Sequence, residues 1–132
     1  MKNMKTNIKY FFLILFFSCN SSNKTKSDII TKLILSNDVN KIVEGYFIIG
    51  EEKQIKFIKD IIINPVDNRI SHHYKFNGIS VYQSKMIALK KISGLEPPIK
   101  ISSKSNIVVI EFYYKWALKE KYINVVHPKY VM

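Results

Sequence analysis

The chain has 132 residues, a formal net charge of +11 and one cysteine, Cys19. That length suits a single domain, and one thiol excludes an internal disulfide and any multi-cysteine metal site. Twenty of the 21 basic residues are lysine, with Arg69 the exception. Nucleic-acid sites favour arginine for bidentate contacts, so no nucleic-acid partner is expected.

Lys2, Lys5 and Lys9 precede an uninterrupted apolar block at residues 10–17, closed by Ser18 and Cys19 and followed by polar residues 20–27. A basic start, a short apolar block and a small residue before a cut make a secretory signal. As a helix the block rises about 12 Å against a hydrocarbon core of about 30 Å, which is poor for a permanent span. The arrangement resembles the lipobox of bacterial lipoproteins. Ser18 fits the position before the cysteine, whereas Phe16 stands where that family usually has leucine and Phe17 is bulkier than usual. The resemblance implies cleavage before Cys19, lipid modification of Cys19, and a membrane-anchored lipoprotein on the periplasmic or outer face of a bacterial envelope. The expected organisation is a signal peptide over residues 1–18, the lipidated cysteine and a flexible tether over 19–27, and a helical domain over 28–132. Processing would lower the net charge to +8, because the removed segment holds three lysines and no acid.

Ser27 is an acceptable N-cap for a short helix over residues 28–35. Ser36-Asn37-Asp38 breaks it and caps the next, in which Ile42, Val43, Tyr46, Phe47 and Ile49 share one face. Gly50 is a natural stop. Ile55, Ile58, Ile61 and Ile62 continue the helical spacing until Asn64-Pro65. A hairpin is the rival for residues 46–58, where β-branched and aromatic runs flank Gly50-Glu51-Glu52-Lys53. Helix is preferred because Lys53, Lys56, Lys59 and Asp60 fall opposite the isoleucines.

Residues 66–79 lack a clean period and contain the turn signal Asn77-Gly78. Ser80 and Gln83 then form a capping box for a helix that ends at Gly94. Glu96-Pro97-Pro98 reads as an extended connector. Ser102, Ser103 and Ser105 offer caps for a last helix over residues 107–122, with Ile107, Ile110, Tyr114, Ala117 and Leu118 on one face. His127-Pro128 closes the order.

The helix, Ile-Gly-Glu, the second helix, Asn64-Pro65-Val66-Asp67-Asn68-Arg69, and the run from Ala88 to Gly94 together resemble a degenerate HEAT-type α–α repeat over residues 38–94. Gly45 departs from the alanine frequent there. The resemblance implies a binding domain without chemistry of its own. The expected fold is mainly α, a small antiparallel helix-pair bundle after a signal peptide and tether.

His72 and His73 beside Asp67 suggest a metal or acid–base site, but adjacent side chains diverge, and no further ligand stands at metal-binding spacing. No phosphate loop, nucleophile elbow or cofactor motif is present. Arg69, His72, His73, Tyr74, Lys75, Tyr82 and Lys85 crowd into seventeen residues of largely aperiodic chain and are the candidate partner-binding set. The alternative is that Arg69 pairs with Asp67 and the aromatics cover the core. Trp116 is read as packing. These features predict a non-catalytic, lipid-anchored binding or scaffold protein whose partners are the membrane and an acidic protein. An exported inhibitor or immunity-type protein is the second expectation, and a small hydrolase using the His72/His73 loop the third.

Overall fold

The computed structural model describes residues 24–124. The signal-like segment, Cys19 and His127-Pro128 lie outside them. The described residues are mainly helical, and their only strand-like pairing is an isolated bridge between Ile70 and Ser80. None of their helices is long and apolar enough to cross a membrane.

The first helix, α1, occupies residues 24–34. Residues 24–27, which the sequence assigns to a tether, thus already belong to a helix. Its inner face, centred on Ile30, packs on α2, Val39–Glu51. The two run antiparallel. Lys26 pairs with Glu52 at 3.3 Å at one end, and Leu33 and Ile34 press on Gly45 further along. Asp38 caps α2 by accepting from the Asn40 amide. Ile42, Val43, Tyr46 and Ile49 are buried as their spacing predicts, while Phe47 is half-buried and stacks on Phe76 at 5.1 Å.

Gly50 does not stop α2, which continues to Glu51. Its role is close approach, since a Cβ there would lie 3.0 Å from the Ala88 Cα. The reversal comes at Lys53, whose φ of 49° takes the left-handed conformation. A 3-10 turn at Ile55–Phe57 leads into α3, Ile58–Ile63, so residues 46–58 form no hairpin. Ile58, Ile61 and Ile62 are buried, and Asn64-Pro65 ends the helix.

The fourth helix, α4, spans Val81–Ser93. Ser80 Oγ accepts from the Gln83 amide at 3.0 Å, and Gly94, at φ 69°, terminates the helix. Half of the expected capping box is thus formed. The Gln83 side chain does not reach back, and its Oε1 is buried without a hydrogen-bond partner among the described residues. The extended connector then doubles back along α4. Glu96 pairs with Lys90 at 2.6 Å, and the Asn106 carbonyl lies 3.5 Å from the Tyr82 hydroxyl.

The last helix, α5, spans Ile107–Lys119 and is capped by Asn106, not by the serines. Its inner face is Val109, Ile110, Tyr113, Tyr114 and Ala117. Ile107 is 46% exposed and Leu118 only half-buried, so the expected face is rotated. Tyr113 accounts for the shift. Its ring enters the core, and its hydroxyl donates to the Leu95 carbonyl at 3.0 Å, leaving no buried donor unsatisfied.

Helix-pair packing dominates, with α2 against α4 as the main pair. These two point the same way, and their contacts join residues 38–40 positions apart: Tyr46 with Lys85, Gly50 with Ala88, Glu51 with Lys91. Both α3 and α4 also meet α5. Val43, Ile49, Ile58, Ile61, Leu89, Val109 and Tyr113 fill the core between these elements.

Candidate functional site

The aperiodic segment after α3 is fixed by its own backbone. Ser71 N donates to Ile79 O, Gly78 N to Ser71 O, Val81 N to Arg69 O and Tyr82 N to Asp67 O, at 2.7–3.1 Å. The last two bonds, with Ser80 Oγ, satisfy three of the free N–H groups at the start of α4. That helix end is therefore already occupied by the chain itself.

Beneath the loop tip, Asn40 of α2 accepts from Ser71 Oγ at 2.6 Å and from the His73 amide at 3.3 Å. Ser71 is fully buried. Phe76 on Phe47 provides a second attachment. Neither Asn40 nor Ser71 carries a sequence signal for this pairing, because they are distant in the chain and occupy unremarkable polar positions. The tip and the start of α2 enclose a shallow groove of about 340 Å³. Asp38, Asn40, Lys41 and Glu44 form one wall, and residues 73–76 form the other.

The seven candidate residues divide. His73, Tyr74 and Lys75 line the groove, with the His73 ring 4.4 Å from the Tyr74 ring and Nδ1 accepting from the Lys75 amide at 3.3 Å. His72 is exposed beside them, and Tyr74 is 81% exposed. Arg69 stands at the base of the loop, where its Nη2 donates to Asp67 Oδ2 at 2.7 Å. That hydrogen bond is the main reason the Asp67 carboxyl is held below its ordinary range. Tyr82 and Lys85 are directed inward and cannot meet a partner at the tip. Tyr82 is fully buried. Lys85 is 7% exposed, donates from Nζ to the Asn64 carbonyl at 2.5 Å, and lies 5.3 Å over the Tyr46 ring. Burial pushes its ammonium below the usual lysine range, with Asp67 opposing the shift. Lys85 thus closes the C-terminus of α3.

No group of three or more potential ligands able to hold a metal occurs among the described residues. What the tip can offer a partner is hydrogen bonding, one large aromatic ring and positive charge. Comparison of the chain with family models, curated proteins and solved structures finds no match.

Proposed function

We propose that the chain is a lipid-anchored binding or scaffold protein of a bacterial envelope, tethered through Cys19 and without catalytic activity of its own. The observation that carries this reading is the order of Lys2, Lys5 and Lys9, the apolar block at residues 10–17, and Ser18-Cys19, placed just ahead of a helical domain. The 38–40-residue register between α2 and α4 supports the HEAT-like character of residues 38–94, since stacked repeats of about that length align equivalent helices side by side. Two or more acyl chains on Cys19 hold such a domain stably, where one binds marginally. Mass spectrometry of the membrane-extracted protein tests the reading. Acylated Cys19 at the N-terminus is expected, and an unmodified Cys19 in the mature protein would remove the anchor.

A second reading, an exported inhibitor or immunity-type protein, is favoured by Tyr74. An exposed aromatic ring on a loop pinned by its own backbone can enter a partner's cleft with little loss of entropy.

A further inference from the structure

We propose that the end of the domain formed by the start of α1 and the α2–α3 turn docks on anionic phospholipid headgroups, so that the anchored domain rests on the bilayer in one orientation. The proposal builds on the anchor at Cys19. Because the chain is already helical at Lys24, only residues 20–23 separate that helix from Cys19. A chain of that length spans at most about 18 Å from Cys19 to Lys24. A lipidated Cys19 therefore brings the α1 start close to the leaflet.

The surface there suits it. The first turn of α1 lies against the α2–α3 turn, where Lys24, Ser27 and Asp28 line a shallow basin with Gln54 and Lys56. Lys53 projects from the same turn. Lys24, Lys53 and Lys56 are exposed and form no ion pair among the described residues. Lys26, Lys90 and Lys91, by contrast, are paired with Glu52, Glu96 and Glu51. The same two elements expose apolar side chains, Ile29 at 52% and Ile55 at 55%. Unpaired lysines flanking exposed aliphatic groups are the chemistry of an interfacial membrane contact. The glutamates of the turn, Glu52 and Glu51, are matched by Lys26 and Lys91, which leaves Asp28 beside three lysines, whereas the opposite end sets Asp38 and Glu44 against Lys41 and Lys75.

Each lysine beside an anionic leaflet shifts the docking equilibrium about fivefold, so three shift it roughly a hundredfold at low salt. The test uses the full-length, processed lipoprotein in nanodiscs of phosphatidylcholine, with and without phosphatidylglycerol. A fluorophore is attached through Gln54→Cys or, at the far end, Asn37→Cys, and quenched by nitroxide-headgroup lipid. On anionic discs the probe at residue 54 is expected to be quenched several-fold more than that at residue 37. The excess should fall several-fold, to what the tether alone gives, on neutral discs and in the Lys24→Glu, Lys53→Glu, Lys56→Glu triple variant. The corresponding lysine-to-glutamine triple serves if the charge reversal disturbs folding. Equal quenching at both positions, or an excess at residue 54 that is the same on neutral and anionic discs and so comes from the tether alone, overturns the proposal. The two readings fail separately: a reactive thiol at Cys19 sinks the anchor and this inference with it, whereas blocked Cys19 with equal quenching sinks this inference alone.

Discussion

Lys85 and Tyr46 share one buried contact but respond to pH in opposite directions. Burial holds the Tyr46 hydroxyl protonated up to about 12, against 10.0 when unfolded. Between those values the unfolded chain has lost a proton that the folded one keeps, so stability falls as pH rises. The ammonium of Lys85 is depressed, so the unfolded chain binds more protons just below the ordinary lysine range and stability rises with pH there. Tyr46→Phe removes the first contribution only. Its stability should therefore decline less than the parent's above about pH 10, by a difference on the order of 1–3 kcal/mol. Urea midpoints followed across that window check this, and parallel declines would mean that Tyr46 does not titrate as its burial requires. Tyr82 and Tyr113, also raised by burial, contribute equally to both proteins.

Gly45 gives a second residue-scale prediction. A Cβ there would stand 2.7 Å from Ile34 Cγ2, 3.0 Å from Leu33 Cβ and 3.3 Å from the Ile34 amide. Alanine therefore pushes α1 off α2. The overpacking cost of about 1–3 kcal/mol exceeds the helix-propensity gain of up to about 1 kcal/mol. Gly45→Ala should lower the urea midpoint. An unchanged or raised midpoint would show that α1 yields without cost.

At the scale of elements, local signals were legible and tertiary ones were not. Asp38, Ser80, Gly94 and Asn64-Pro65 act within a few residues of themselves, and each ends or begins a helix as its chemistry predicts. Gly50 misled because the neighbour that requires it, Ala88, is remote in sequence. The α5 face was misassigned because Ile107 outranks Tyr113 in hydrophobicity, while the structure rewards the larger ring with a carbonyl for its hydroxyl. In the candidate loop, Arg69 to Lys75 could be grouped by proximity in the chain. That Tyr82 and Lys85 turn inward depends on partners remote in the chain, Asn106 for Tyr82 and Tyr46 and Asn64 for Lys85. Asn40 provides the test of how the loop is held. Asn40→Ala removes the acceptor of Ser71 Oγ and one of the two acceptors of the His73 amide, the other being Ser71 Oγ at 3.2 Å. The His73 amide should then exchange with deuterium faster while α4 amides keep their protection. Uniformly faster exchange would mean that Asn40 supports the whole fold.

At the scale of the whole molecule, the described residues share one core to which each of their helices contributes, from Ile30 of α1 to Ala117 of α5. Such a core predicts one cooperative unfolding transition. Far-ultraviolet circular dichroism should show a mainly helical spectrum. Its thermal midpoint should coincide with that of Trp116 fluorescence, which reports the packing of α5 against the core. An earlier fluorescence midpoint would identify α5 as a separately melting unit. Arg69→Ala with Tyr74→Ala should leave that midpoint nearly unchanged, because the Arg69 ion pair is solvated and Tyr74 is mostly exposed. The same double variant should weaken capture of a partner that uses the loop tip. Unfolding without loss of capture at permissive temperature would assign both residues to structure.

The position of α5 has a consequence for how the chain is made. Val109, Tyr113 and Ala117 are fully buried and follow α3 and α4 in the chain. Until they leave the ribosome, the faces of α3 and α4 that receive them stay uncovered, and local helix formation alone is marginal for segments of 6 and 13 residues. Folding is thereby deferred until α5 has been made. For the exported lipoprotein proposed above, a nascent chain held open in this way would still pass through a narrow channel before it closes on its core.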